Sequence, residues 1–341
     1  MRFLKAIFAL LLVAAILGGA GLGFGWFWLQ GEVAKPGPLA QETEFSIERG
    51  EGLGSVASRL ETLGFVEDKR VLRIQARLDA VESDIKAGSY VVPARASIVE
   101  ILDQFVDGEV IEFRLTIPEG LTTAQILRRV EAADDLEGDM PERTFEEGVL
   151  LPDTYVFGAG TTRTQFIERM EAAQDDLLDD LWGDRQEGLP VSTPYEAVIL
   201  ASVVEKETAH ADERPLVAGL FVGRLKKGMR LESDPTIIYG VSKGEPLYNR
   251  QGQRRKLYRS EIDRKTDWNT YQIDGLPKTP ICNPGRDAIA AVLNPPETDY
   301  VFFVADGKGG HLFAKTYAEH QRNVAAYRRF EREEIARERE N

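Results

Sequence analysis

Thr193-Pro194-Tyr195-Glu196-Ala197-Val198-Ile199-Leu200-Ala201-Ser202-Val203-Val204-Glu205-Lys206-Glu207-Thr208 is the stretch on which the reading of this chain turns. It opens as a helix start, with Thr193 as N-cap, Pro194 at the first helical position and Glu196 three residues after the cap. The run from Ala197 to Val204 is apolar nearly all round, which predicts a helix buried on every side. Glu205 then falls near the C-terminal end of that helix, where the helix dipole and desolvation both oppose its charge. A carboxylic acid kept protonated near neutral pH suits general-acid cleavage of a glycosidic bond. Glu205 could equally cap a neighbouring backbone or pair with Lys206 or Arg214. Glu207 is the local rival, but it lies about 200° around the helix, so only one of the two can face a given cleft.

Working outward, Asp212 and Pro215 signal a second helix through Leu225, closed by Gly228. Strand patterns are expected at Val110 to Ile117, Ile237 to Tyr239 and Tyr300 to Ala305, and a charged helix over residues 316–341. Gly307-Lys308-Gly309-Gly310 lacks the flanking residues of a phosphate loop and reads as a hairpin turn into His311-Leu312-Phe313. Toward the N-terminus, Phe45-Ser46-Ile47 alternates, Val56, Ala57, Leu60 and Leu63 recur at helical spacing, and a helical run covers Lys69 to Val81. A strand at Gly88 to Val92 and a helix capped by Ser97 follow. This is a small α+β module. Gly52-Leu53-Gly54 loosely matches a dinucleotide fingerprint but is read as a strand-to-helix turn.

Residues 6–29 contain no charge, and 24 residues of helix would reach about 36 Å, enough to cross a hydrocarbon core of roughly 30 Å. With Trp26, Phe27 and Trp28 at its far end, the stretch reads as a membrane span in preference to a cleaved signal peptide, whose apolar region usually runs only about 7–15 residues; Arg2 and Lys5 are then expected to hold residues 1–5 on the cytoplasmic side. Residues 30–42, with Pro36, Gly37 and Pro38, are expected to form a stiff linker. The net charge of −14 comprises +2 in the first 30 residues and −16 beyond them, which works against nucleic-acid binding. One cysteine, Cys282, excludes an intramolecular disulfide and reads as a small packed residue. The three histidines, His210, His311 and His320, have no metal-ligand spacing, so neither a metal nor another cofactor is expected. Arg250, Arg254, Arg255, Lys256 and Arg259 form the one basic run, either a solvated loop or a contact for the carboxylates of peptide stems.

Several long motifs then resemble the endolytic murein transglycosylase, or YceG-like, family. They are Ala201-Ser202-Val203-Val204-Glu205-Lys206-Glu207-Thr208, Ser233-Asp234-Pro235-Thr236-Ile237-Ile238-Tyr239-Gly240, Asn269-Thr270-Tyr271, and Gly275-Leu276-Pro277 running into Pro280-Ile281-Cys282-Asn283-Pro284-Gly285. Tyr300 to Phe313 completes the order, and the likeness covers nearly the whole chain. The resemblance implies an α+β chain of transmembrane helix, LysM-like module at residues 43–110 and catalytic domain at residues 111–341. It implies a periplasmic enzyme of the inner membrane that cuts within nascent peptidoglycan strands and ends their elongation. The family's essential glutamate falls on Glu205.

In such an enzyme the acid would protonate the oxygen between N-acetylmuramic acid and N-acetylglucosamine, then deprotonate the muramic C6 hydroxyl to leave a 1,6-anhydro end. One glutamate suffices, unlike the carboxylate pair of ordinary glycosidases. Ser233, Asp234, Thr236, Asn269, Thr270 and Tyr271 are the candidate substrate contacts, although Asp234 could instead serve the turn at Pro235 and the Thr and Tyr could belong to a half-buried strand. Association with penicillin-binding glycan synthases is implied as well. Val149, Leu151 and Trp268 depart from the family's usual residues, which bears on the sugar-stacking surface. The competing readings are a muramidase that adds water and a non-catalytic glycan-binding scaffold.

Overall fold

A computed structural model gives the architecture; it describes residues 2–48, 50–108, 110–208 and 210–340, with backbone alone for residues 2–9, 14, 335, 336 and 338–340. The protein is a mixed α+β chain in which Met1–Phe113 with Val156–Gly160 form one compact unit and Arg114–Tyr155 with Thr161–Asn341 form another.

The first unit begins with helix α1, Arg2–Ala34. Its Leu10–Ala34 portion, 25 residues, is long and apolar enough to cross a membrane. Trp26, Phe27 and Trp28 are exposed on it. Met1 and the side chains of Arg2 and Lys5, on which the expected orientation rests, lie outside the described residues. The expected linker at 30–42 is corrected at both ends. Helix continues through Ala34, with Leu29 and Val33 buried in the unit's core, because nothing before Pro36 breaks it and Lys35 pairs one turn back with Glu32 at 2.6 Å. The remainder is docked: Gly37 N–H donates to Arg95 O at 3.0 Å and Arg95 N–H to Leu39 O at 3.0 Å. A Cβ on Gly37 would lie 2.2 Å from Ala96 O, so only glycine permits this approach.

Strand β1 (Thr43–Ile47) leads into α2 (Leu53–Thr62) and α3 (Lys69–Leu78), and β2 (Gly88–Val92) returns antiparallel to β1 with Phe45 opposite Tyr90. Antiparallel pairing leaves the Gly52–Gly54 turn without the parallel strands a dinucleotide site requires. Helix α4 (Ile98–Asp107) starts at a reciprocal Ser97–Glu100 capping box. Phe105 stacks on Phe45 at 5.8 Å, and Phe65 meets Phe45 edge-on at 5.1 Å, closing the core.

Strands β3 (Glu112–Thr116) and β4 (Thr154–Gly158) pair in a two-stranded sheet. The second unit continues with α5 (Thr123–Glu131), α6 (Arg163–Gly183), α7 (Pro194–Glu207), α8 (Arg214–Lys226), α9 (Asp234–Ser242) and the single turn α10 (Arg259–Ile262). Then come α11 (Arg286–Leu293), the antiparallel hairpin β5 (Phe302–Ala305) and β6 (His311–Ala314), and α12 (Tyr317–Glu340). Every residue of α7 from Ala197 to Val204 is buried; the helix shares one core with α8 and α11, where Leu200, Val204, Phe221 and Ile289 meet. The strand expected at Ile237 to Tyr239 is helix α9 instead. Asp234 and Pro235 occupy its first turn, and that helix start overrides the short apolar run's preference for extended chain.

Candidate active site

Helix α7 is set by its cap, Thr193 Oγ1 accepting from Glu196 N–H at 3.2 Å, and by total burial of its middle. Segment 280–285 runs beside it. Ile281 N–H donates to Ser202 Oγ at 3.0 Å, the Cys282 thiol to Ser202 O at 3.4 Å, and Gly285 N–H to Glu205 Oε2 at 3.1 Å. Cys282 is fully buried and its thiol is pushed well up by desolvation, so it is a packed and unreactive group. Glu205 therefore lies between the C-terminal end of α7 and the N-cap of α11, with its side chain 7% exposed.

Arg214, the first residue of α8, fixes the rest. Its buried guanidinium stands 3.6 Å from Glu205 Oε1, 3.4 Å from Glu119 Oε2 and 3.4 Å from Asp287 Oδ2. Two glycines make the assembly possible. A Cβ on Gly285 would fall 1.8 Å from Glu119 Oε1, and Gly120, at φ +75°, lets the chain turn against Glu205 and Lys206. Lys206 Nζ donates to Gly120 O at 3.0 Å.

One cation facing three carboxylates cannot neutralise them all, and the electrostatics follow. Burial raises the pKa of Glu205 above the ordinary 4.5, the Gly285 N–H opposes this, Glu119 raises it further, and Arg214 and Lys206 pull it back. Glu207 is pushed higher, to about 7, by burial; the nearby Ser233 hydroxyl lowers it and the Asp234 carboxylate raises it. Glu147 is a third carboxyl raised by desolvation. It accepts from Thr123 N–H at 2.6 Å, Tyr239 O–H at 2.9 Å and the Asn283 amide at 3.2 Å.

The expected substrate contacts are brought together but face different ways. Thr236 and Thr270 are fully buried and Ser233 and Asn269 1% exposed. Their groups bind one another and nearby backbone: the Thr236 and Thr270 hydroxyls are 2.9 Å apart, Ser233 N–H donates to Thr270 Oγ1 at 3.0 Å, and the Asn269 amide donates to Ile262 O at 2.9 Å. They brace the segment. Asp234, exposed, and Tyr271, half-buried, are the pair at the surface, joined by a 2.9 Å bond from the Tyr271 hydroxyl. Asp234 and Lys206 open onto a groove of about 550 Å³ whose lining includes Tyr239 and Ile281. Trp268 is occupied otherwise, with Nε1 bonded to Thr279 at 2.9 Å and Lys243 Nζ over its ring. Glu119, Asp287, Glu147 and Asn283 escaped the sequence reading as members of the site. Only Pro118-Glu119-Gly120, an acid before a turn glycine, carried a local hint.

Glu205, desolvated at a helix end beside an arginine and followed by Lys206 on the wall of an open groove, is a candidate acid–base group of the kind general-acid enzymes use. The chain belongs to the YceG-like family, whose profile matches residues 45–326. An endolytic murein transglycosylase of Streptococcus pneumoniae serotype 2 (strain D39) is 29% identical over 330 residues, 82% of this chain and 57% of that protein. One of Bacillus subtilis strain 168 is 26% identical over 313 residues, 83% of this chain and 84% of that protein. The chain thus spans little more than half the length of the pneumococcal relative. A crystal structure of a YceG-like protein from Listeria monocytogenes aligns over 83% of this chain and 99% of its own, at 24% identity and a TM-score of 0.48.

Proposed function

We propose that the protein is a membrane-anchored endolytic peptidoglycan lytic transglycosylase with Glu205 as its catalytic acid. The observation that carries this is the setting of Glu205. Burial and Glu119 favour its protonated form, while Arg214 at 3.6 Å and the Gly285 N–H at 3.1 Å stand ready for the carboxylate it becomes. A group that gives up a proton and takes one back needs both forms within reach. Glu205 protonates the departing N-acetylglucosamine oxygen; the carboxylate then removes the proton of the muramic C6 hydroxyl, whose oxygen closes on C1. Protons balance and no water enters. Asp234 and Tyr271 face the sugars, and the buried Ser233, Thr236, Asn269 and Thr270 hold that edge in place. The names of the relatives support this substrate and reaction.

The same reading makes α1 a single span with the N-terminus cytoplasmic, residues 43–110 a LysM-like glycan-binding module, residues 111–341 the periplasmic catalytic domain, and glycan synthases the partners in the wall. A second reading has one specific observation in its favour. Glu119 shares Arg214 with Glu205, and its side chain is 42% exposed, so it could activate a water, making the protein a muramidase.

Mass analysis of peptidoglycan digested by the full chain in detergent micelles separates the two, since anhydro ends are lighter than reducing ends by one water. Anhydro ends that disappear in Glu205→Gln and persist in Glu207→Gln are the expected result. Reducing ends would establish the muramidase, and absence of cleavage by the wild type would refute both.

A further inference from the structure

The groove beside Glu205 carries more positive charge than a neutral sugar needs. Its rim holds Lys206, Arg254, Arg255 and Lys256, with Asp234 and Glu245 as its acids. Internal pairing sorts these groups. Arg255 is fixed to Glu261 by two bonds of 2.8 and 2.7 Å, Lys256 meets Glu331 at 2.9 Å, Glu245 is paired with Arg128, and Asp234 accepts from Tyr271. Beyond the rim, Arg259 is matched by Asp263 at 2.9 Å. Among the described residues, Arg254 and Lys206 are the groove cations with no carboxylate at ion-pair distance, and Lys206 has only the carbonyl of Gly120. The basic run is therefore not uniformly a solvated loop: three of its members are engaged by acids, and one, Arg254, is left at the groove.

The loop that presents Arg254 is braced. Arg255 N–H donates to Leu247 O at 3.0 Å, Asn249 N–H to Gln253 O at 2.9 Å, and Asn249 Oδ1 accepts from both Gln251 and Gln253 N–H at 2.9 Å. Tyr248 and Arg254 are bridged across the turn. The groove's lining also includes the apolar side chains of Leu247 and Ile281 and the ring of Tyr239. Two unmatched cations in a groove with apolar lining suit a short peptide that ends in, or bears, a carboxylate and carries small alkyl side chains.

We propose that this groove is a subsite for the peptide stem of peptidoglycan, with Arg254 and Lys206 binding a stem carboxylate while the glycan lies at Glu205. The inference rests on the proposed substrate and adds the part of it that this surface reads. A second source offers the same chemistry, namely the lactyl carboxylate that remains on muramic acid once the stem is removed, and the experiment keeps the two apart.

The test uses full chain in detergent micelles and three soluble glycans of matched length: stems with free carboxylates, stems with those carboxylates converted to amides, and glycan with stems removed. Cleavage is measured with the wild type, Arg254→Gln, and Arg250→Gln as a neighbouring cation outside the groove. Binding is measured on the Glu205→Gln background. Arg254→Gln should weaken handling of free-carboxylate stems roughly ten-fold, mainly through KM. It should change the amidated stems little, and Arg250→Gln should change neither. The wild type should favour free-carboxylate over amidated stems by a similar factor, and that preference should fade at high salt. Equal losses on free and amidated stems, or no loss, would overturn the proposal, and an equal loss on stripped glycan would assign the cations to the lactyl carboxylate instead. If the wild type cleaves nothing, the enzymatic reading fails, and the binding arm still decides whether the groove selects charged stems.

Discussion

Glu207→Gln should make the protein more stable, and by an amount that depends on pH. Glu207 holds its proton to about pH 7, whereas the same group in an unfolded chain has a pKa near 4.5. Below pH 4.5 both states are protonated and the substitution should change little. As pH rises from 4.5 to 7 the unfolded chain ionises first, so the native state binds more protons and loses stability relative to it; above 7 the deficit is constant. Were the group sealed from solvent, that gap would correspond to roughly 3 kcal/mol. Glu207 is only half-buried, which reduces the figure to about 1–2 kcal/mol. Glutamine keeps the size and the Ser233 neighbour while removing the ionisation. Thermal unfolding of wild type and variant in the same detergent, followed from pH 4 to pH 8, should show no difference at the acid end and a gain of about 2–4 °C for the variant at the alkaline end. A gain independent of pH, or a loss at pH 8, would refute the reasoning.

Two further outcomes follow from the same geometry. Glu119→Gln removes the negative charge that raises Glu205, so the pKa of the acid should fall and the alkaline limb of the pH–rate profile should move to lower pH; a limb that stays in place would disprove the coupling. Asn283→Ala withdraws the amide that donates to Thr123 Oγ1 at 3.0 Å and the carbonyl that accepts from Leu150 N–H at 2.9 Å. With those buried groups unmatched, chemical denaturation should show a loss of about 2–4 kcal/mol, against which a loss under 1 kcal/mol would count.

Local signals carried much of the fold. The Thr193 cap, the Ser97 cap and the glycine turn at residues 307–310 each act over a few residues, and each element appears where its signal stands. Ile237 to Tyr239 failed because three apolar residues have no periodicity of their own, and the helix start at Asp234 and Pro235 decided the matter. Of the candidate site, the sequence placed Glu205 at its helix end and offered Arg214 as a partner, and the rest of the carboxylate cluster was not legible. Glu119 and Asp287 reach Arg214 across 95 and 73 residues of sequence, and no spacing rule joins groups that meet only after α7, α8 and α11 have packed. Burial of Thr236, Asn269 and Thr270 was invisible for the same reason: a hydroxyl suited to a sugar is equally suited to its neighbour's backbone.

The unbroken run of α1 into the first unit has a mechanical consequence. With Leu29 and Val33 set in the core and Gly37 pressed on Ala96, that unit stands on a mast instead of trailing on a leash. The 25 residues of Leu10–Ala34 reach about 37 Å, so on the proposed crossing of a core of roughly 30 Å the last turns of the helix are already inside folded protein. Height above the lipid and the direction the unit faces are then properties of helix register. Inserting residues before Leu29 would shift the unit by about 1.5 Å along the helix and rotate it by about 100° for each one added, so on the proposed anchoring this segment acts as a ruler for how far from the lipid the first unit stands.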